Sequence, residues 1–214
     1  MAQLESVNHS TIAAFFNDSL TVLWPNQVLY NNVFIVATDA APYMCKAMKG
    51  LQVLFPKMVH VTCLAHGLHR VAELICYNYS DVNRLISSGK SIFLKAPLRV
   101  KTFKEISPDI PLPPSPVVTR WGTWLDAGMY YATNLEKVTE VVVALDETEA
   151  QSIVECKKLL ENYEIKLSLS FIAANFATLS TTIEKLETRG LSLETAISSI
   201  EAVKNKFERL YDRR

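Results

Sequence analysis

The sequence lacks an excess of charge of either sign, with 22 lysines and arginines against 22 aspartates and glutamates. A net charge of +0 creates no dominant positive field, so global charge gives no argument for a nucleic-acid partner. Glycine and proline are also scarce, at 6 and 9 of 214 residues, and 49% of the chain is hydrophobic. This composition is typical of a globular protein and excludes a disordered or fibrous chain.

Cysteines and long apolar runs are scarce as well. The four cysteines, Cys45, Cys63, Cys76 and Cys156, are too dispersed for a disulfide framework and predict reduced thiols in an intracellular protein. No window reaches about 18 uncharged apolar residues, so neither a membrane span nor a membrane partner is expected. The opening residues lack the basic and apolar regions of a signal peptide and hold no folded module, so we expect the chain to begin inside a domain.

Hydrophobic spacing in the first part of the chain predicts alternating helices and strands. The predicted elements are a helix over 9–23, a strand near 33–39, a helix over 42–55, a strand near 59–65 and a helix over 67–78. Ser10 is the expected N-cap of the first helix, and Pro42 suits the first turn of the second. The first strand, rich in β-branched residues, is expected to be buried, and the order predicts an α/β layer with a parallel sheet.

The remaining sequence predicts helices joined by one proline-rich segment. The expected helices cover 81–104 with a break at Pro97, then 120–145, 147–177 and 191–211. The fold class is therefore α/β plus all-α. The predicted division is an α/β region over 1–80, a basic helical segment over 81–106, a proline-rich linker over 107–118 and a helical domain over 119–214.

The balanced total charge is the sum of two unlike parts. Residues 1–107 carry 10 basic and 6 acidic side chains, whereas residues 108–214 carry 12 basic and 16 acidic ones. No acidic residue interrupts the six cations of the basic segment, which are Arg84, Lys90, Lys95, Arg99, Lys101 and Lys104. Such a run suits either a nucleic-acid backbone or a solvated helix face. Arg99, Lys101 and Lys104 are the candidate DNA contacts.

Candidate ligand-binding or catalytic residues follow two of the predicted strands. Asp39 follows the first predicted strand, where ligands of open α/β sheets collect, and its carboxylate suits a divalent cation or a helix cap. Cys63, His66 and His69 lie at the next strand-to-helix turn. They suit either a zinc site, with Cys76 as the fourth ligand, or a phosphate contact by His66 at the helix N-terminus.

A third motif, TRWGTW at 119–124, opens the helical part. Arg120 beside Trp121 suits a phosphate contact combined with stacking on a base. The alternative is a helix start at which Trp121 and Trp124 both pack inward, since tryptophan is highly buried on average.

In this order the three motifs resemble those of the hAT superfamily of DNA transposases. The resemblance rests on IVATDAAPYMCKAMKG, CLAHGLH and TRWGTW and covers roughly residues 10–145. It implies an RNase H-like catalytic domain interrupted by an all-helical insertion, a nuclear location, DNA as partner, and Mg²⁺ or Mn²⁺ as the cofactor of the family.

The resemblance also implies a role for each matched residue. Asp39 corresponds to the second of three catalytic acidic residues, which is a metal ligand in the family. Cys63 and His66 correspond to the C/DxxH motif, whose histidine acts on the scissile phosphate. Arg120 and Trp121 correspond to the RW motif, whose tryptophan is expected to stack on a base near the cleavage site.

The other two catalytic acidic residues have no counterpart. Asp18 lies in a predicted helix, and Glu194, Glu201 and Glu208 lie on a last helix that no further strands precede. One carboxylate cannot hold the two ions that clamp a phosphoryl transfer, so we expect no bound metal and neither cutting nor joining of DNA.

The sequence therefore predicts a transposase-derived protein, an internal fragment or degenerate domesticated copy, that is catalytically inactive and binds DNA weakly in a salt-sensitive way. One alternative is a truncated gene model of an active, metal-dependent transposase. Another is a helical protein-interaction or self-association module that does not bind nucleic acid. No small-molecule substrate is expected.

Overall fold

The computed structural model describes residues 6–117 and 120–212, so Thr119 of the TRWGTW motif lies outside the described residues. Two strands are described, β1 (Ile35–Thr38) and β2 (Val59–Thr62). The described α-helices are α1 (His9–Leu23), α2 (Pro42–Leu51), α3 (Leu64–Asn78), α4 (Ser80–Phe93), α5 (Pro97–Ile106), α6 (Trp121–Ala144), α7 (Gln151–Leu160), α8 (Tyr163–Glu187) and α9 (Leu193–Tyr211). Short 3₁₀ turns cover Tyr30–Asn32 and Glu147–Glu149. The described part is thus a mixed α/β structure in which helices dominate.

The chain forms two compact units, Met1–Gly67 and Leu68–Arg214. The first unit contains α1, α2 and both strands, and the second contains most of α3 and all later helices. The predicted basic segment (81–106) and proline-rich linker (107–118) both fall within the second unit. The division into four segments stays a prediction about how the chain is organised.

In the first unit the two strands pair in parallel, as the sequence predicts, with Ile35 opposite Val59 and Thr38 opposite Thr62. The core of this unit lies beneath α1 and α2, where Leu20, Met48, Leu51 and Phe55 are buried. Burial of these side chains removes apolar surface from water, which is the main force that holds the unit together.

The prediction that the first strand is buried is wrong. Ile35 is 70% exposed and its cross-strand neighbour Val59 is 56% exposed. Val36, which points to the opposite face because side chains alternate along a strand, packs against the core of α1 and α2. Within the described residues of this unit, helices therefore cover one face of the sheet, and the β-branched run cannot by itself reveal whether both faces are covered.

The second unit is a helical assembly built around the long helices α6 and α8. Its core includes Leu125 and Tyr131 of α6, Ile153 of α7, and Leu169 and Ile172 of α8, all of which are fully buried or nearly so. The start of α6 is tied to α8 by the Ser180 hydroxyl, which donates to the Asp126 carboxylate at 2.5 Å.

The predicted single helix over 147–177 is wrong. It is divided into a 3₁₀ turn, α7 and α8, with Glu161 and Asn162 between the two helices. The Asn162 side chain accepts a hydrogen bond from the Glu164 amide at 3.0 Å and so begins a new helix. The apolar three-and-four spacing continues through both helices, which explains why periodicity alone does not reveal the break. By contrast, the break at Pro97 is confirmed, because α4 ends at Phe93 and α5 begins at Pro97.

Residues 107–117, called the strap below, are free of regular secondary structure, as five prolines predict. The strap is nevertheless well packed within the second unit. The Tyr130 hydroxyl donates to the Pro111 carbonyl oxygen at 2.6 Å, Lys137 pairs with Asp109, and Ile110 and Leu112 pack against the core. It therefore runs along α6 instead of spanning solvent.

Among the described residues, no helix combines the length and the apolar character that crossing a membrane requires.

Candidate nucleic-acid interface

Asp39, Cys63 and His66 lie at one edge of the parallel pair. The Cys63 amide donates to the Thr38 carbonyl oxygen at 2.7 Å, so the ladder extends one residue beyond β2 and reaches the level of Asp39. His66 lies in the first turn of α3, which begins at Leu64, three residues before the predicted start. Because carboxyl ends of parallel strands meet at the same edge, the chain brings these sequence-distant residues together there.

The Asp39 carboxylate is half-buried and already has a backbone partner. Its Oδ1 accepts a hydrogen bond from the Ala41 amide at 3.2 Å, an Asx-type turn that leads into α2. The N-cap of α2 is Ala41, so Asp39 shapes the entry to the helix without occupying the cap position. The neighbouring Thr38 hydroxyl bonds to the Asp39 carbonyl oxygen and to His60 Nε2, each at 2.8 Å.

The Cys63 thiol is in hydrogen-bond contact with the exposed His66 imidazole. Burial raises the pKa of Cys63, but hydrogen bonds from the side chain and backbone of His66 and from the Ala65 amide outweigh burial. The net effect is a pKa below the ordinary value of 9.0. The CLAH turn is thus a small polar site with a thiol that ionises more easily than usual.

These donors do not fit a two-metal centre. Asp39 supplies a carboxylate to this edge, and within residues 6–117 and 120–212 no group of three His, Cys, Asp or Glu side chains is arranged to hold a metal ion. Of the residues considered for zinc, His69 has its Nε2 bonded to Glu187 Oε1 at 3.0 Å, and Cys76 is buried, with 5% of its surface exposed.

The start of α6 gives the two tryptophans different environments. Trp124 is 3% exposed, and its indole N–H donates to Asn83 Oδ1 at 3.1 Å, so this side chain packs inward. Trp121 is only half-buried, with one part against the core and the rest accessible. Arg120 is the N-cap residue of α6 and is exposed. The inward-packing alternative therefore describes Trp124 and only part of Trp121.

Two cavities adjoin Trp121, and together they are called the RW groove below. The first, of about 200 Å³, is lined by Asn83, Ile86, Ser87, Lys90, Pro116, Val117, Trp121 and Trp124. The second, of about 520 Å³, is lined by Glu73, Cys76, Tyr77, Ser80, Asn83 and Trp121. Trp121 and Asn83 belong to both linings.

Half of the basic stretch is neutralised by carboxylates. Arg84 pairs with Glu155 and, at 3.2 Å, with Asp81. Arg99 pairs with Glu149 at 3.6 Å and is 20% exposed, and Lys101 pairs with Glu105 at 3.7 Å. Of the six cations, Lys90, Lys95 and Lys104 form no ion pair within the part of the chain that the structure describes.

Sequence reasoning missed Tyr77, Asn83 and Lys90 as groove residues. Asn83 and Lys90 are seven residues apart on α4 and therefore lie on one face of that helix. That spacing is visible in the sequence, but the sequence does not tell which face of α4 meets the start of α6. Tyr77 gives no motif signal at all. Compared with protein-family models, with curated proteins and with solved structures, the chain matches none of them.

Proposed function

We propose that this chain is a hAT transposase-derived protein that acts in the nucleus and binds DNA through the RW groove without cutting it. The observation that carries the proposal is the accessible Trp121 at an open groove, flanked by the exposed cation Arg120 and by Lys90. An aromatic face beside cations is the combination that holds unpaired bases and their phosphates.

The strand edge supports the transposase origin in this proposal. Asp39, Cys63 and His66 match the family motifs in sequence, and the backbone ladder brings the first two to the same edge. The donor set supports binding over cleavage, because one carboxylate beside a thiol and an imidazole is poor in the oxygen ligands that paired divalent ions require.

The charge pattern favours weak binding. Arg84, Arg99 and Lys101 are engaged with carboxylates, so they have less charge to offer a phosphate backbone. Because three of the six cations of the basic stretch are paired in this way, fewer counterions are released when DNA binds to it. We therefore expect a moderate affinity that falls as the salt concentration rises.

The test is a titration of the full chain against fluorescently labelled hairpin DNA with an unpaired end, followed by anisotropy at several salt concentrations. Arg120→Gln removes a charged donor and is expected to weaken binding by about tenfold. Trp121→Phe keeps a smaller aromatic face and is expected to weaken binding less than Trp121→Leu. The matched control is Arg189→Gln, an exposed arginine on the turn between α8 and α9.

A nicking assay on the same DNA with Mg²⁺ or Mn²⁺ tests the second half of the proposal. Parent and Asp39→Ala proteins are both expected to leave the DNA intact. Nicking that depends on Asp39 contradicts the inactive assignment and favours an active transposase. A parent chain that binds no DNA in the titration contradicts the proposal and favours the protein-interaction alternative.

A further inference from the structure

We propose that the RW groove takes two successive unpaired nucleotides of single-stranded DNA, one base in each of the two cavities that Trp121 lines, with Tyr77 as a second stacking residue and Lys90 as a phosphate contact. This inference rests on the proposed function, and it adds the number of nucleotides bound, the stacking role of Tyr77 and the preference for single strands over duplex.

The RW groove consists of two cavities that share one aromatic side chain. A single side chain, Trp121, borders two cavities of about 200 and 520 Å³. A side chain that borders two cavities can contact a base in each of them, whereas a tryptophan at the bottom of one pocket accepts one base only. Because Trp121 also packs against the core of the unit, its ring is held in place before any ligand arrives.

Tyr77 provides a second aromatic ring at the groove. It lines the larger cavity from α3 and is 82% exposed. A ring this exposed contributes little to the core, but it offers a face on which a second base can stack. Stacking on aromatic side chains tolerates any base sequence, which suits a groove that contains few groups able to read base edges.

The charged residues of the two cavities favour different parts of the bound strand. Lys90 lines the smaller cavity and forms no ion pair within residues 6–117 and 120–212, so its ammonium is available to a phosphate. Glu73 lines the larger cavity, where its carboxylate repels phosphates and can accept from an amino group of a base. A phosphate between the two bases is therefore expected next to Lys90, and the amino edge of the base in the larger cavity can face Glu73.

Asn83, which lines both cavities, has an NH₂ group that can donate a hydrogen bond to a base. Its Oδ1 accepts from the Trp124 indole at 3.1 Å, which fixes the side-chain amide and leaves its NH₂ group for a ligand. Stacking on Trp121 and Tyr77 requires base faces that are free, and bases inside a duplex are already stacked on their neighbours. The groove should thus prefer single strands over duplex DNA.

The experiment measures the affinity of the full chain for a labelled oligothymidylate of about 8 nucleotides and for a blunt duplex of the same length, across a range of salt. Tyr77→Ala is expected to weaken single-strand binding by roughly 5- to 100-fold, while Tyr77→Phe retains it. Lys90→Gln is expected to weaken binding and to reduce the magnitude of the salt slope by about 0.7.

Matched controls are Tyr163→Ala, which removes a tyrosine that is 68% exposed on α8, and Lys158→Gln, which removes an exposed lysine on α7. Both should bind like the parent, and far-UV circular dichroism should be unchanged in all variants. If Arg120→Gln weakens binding but Tyr77→Ala and Lys90→Gln match the controls, or if duplex binds as tightly as single strands, this inference is overturned and the proposed function stands. A parent chain that binds neither DNA overturns both.

Discussion

Gly89 on α4 lies against the hydroxyl of Tyr131 on α6. A Cβ atom built at Gly89 meets Tyr131 Oη at 1.8 Å and Cζ at 3.1 Å, far inside normal contact. Tyr131 is fully buried, so its ring has no free space into which it can move. We expect Gly89→Ala to lower the free energy of unfolding by about 1–3 kcal/mol, measured by urea denaturation, because the two helices must separate.

A second substitution tests whether the hydroxyl is the cause. The Tyr131 hydroxyl is buried and finds no hydrogen-bond partner among the described residues. Tyr131→Phe alone should therefore be neutral or slightly stabilising, and combined with Gly89→Ala it should restore most of the lost stability. Gly67→Ala on α3, which meets nothing within 4 Å, is the control for a bare helix substitution. Additive effects of the two substitutions at 89 and 131 refute this account.

The Cys63 thiol should ionise at a lower pH than the two buried thiols, Cys76 and Cys156. Burial raises the pKa of Cys76 to about 11 and that of Cys156 to about 12, whereas contacts with His66 lower that of Cys63. The thiolate is the reacting form, so site-resolved alkylation by iodoacetamide should begin at a lower pH for Cys63.

His66→Ala provides the check on that alkylation profile. Loss of the imidazole removes a hydrogen bond and a favourable charge, so the Cys63 profile should move to higher pH and its rate at pH 7 should fall. His60→Ala leaves the CLAH turn intact and should not move it. An unchanged Cys63 profile in His66→Ala argues against the contact.

At the scale of elements, α1 begins at a capping box whose N-cap is Asn8, whereas the sequence predicted Ser10 as the N-cap. The Asn8 side chain accepts from the amides of Ser10 and Thr11, and the Thr11 hydroxyl accepts from the Asn8 amide. Ser10, the predicted N-cap, is instead within the first turn. Both residues have cap chemistry, and only the backbone geometry distinguishes them.

Asn8→Ala should therefore destabilise α1 by about 1 kcal/mol, while Ser10→Ala should have little effect. Native-state hydrogen exchange of the α1 amides measures this locally, and a loss of that size makes exchange about fivefold faster. If Ser10→Ala accelerates exchange more than Asn8→Ala does, Ser10 is the true cap.

Other elements show what the sequence can and cannot specify. Periodicity predicted α1, α6 and α9 closely, because each is a long amphipathic stretch that begins or ends at a turn or cap signal. The break between α7 and α8 at Asn162 was not predictable, because it depends on a local side-chain hydrogen bond. The exposed face of β1 was not predictable either, because it depends on which elements pack against the sheet.

The candidate site shows the same limit at a larger scale. The motif residues Asp39, Cys63, Arg120 and Trp121 stand out in the sequence, because they follow strand ends or open a helix. The pairing of the basic stretch did not stand out, since Arg99 and its partner Glu149 are far apart along the chain. Pairings of this kind depend on tertiary packing and not on local pattern.

At the scale of the whole molecule, basic and acidic residues that cancel in the net charge pair with each other within the second unit. The basic excess before residue 108 and the acidic excess after it meet directly, because Arg84 pairs with Glu155 and Arg99 pairs with Glu149. The carboxylates thus limit how much of the basic stretch can act on a phosphate backbone, and removing them should uncover it.

The variant Glu149→Gln with Glu155→Gln frees Arg99 and leaves Arg84 with Asp81 as its one remaining ion-pair partner among the described residues, so it should tighten duplex DNA binding, with a salt slope steeper by about 1–2. Each pair is partly exposed, so the cost in stability should stay within about 1 kcal/mol per pair. The control, Glu194→Gln with Glu201→Gln on α9, changes net charge equally at exposed positions that form no ion pair within the described residues. Equal slopes in the two variants would mean that net charge, not the uncovered basic stretch, controls binding, whereas a steeper slope in the first variant alone places the latent contacts on α4 and α5.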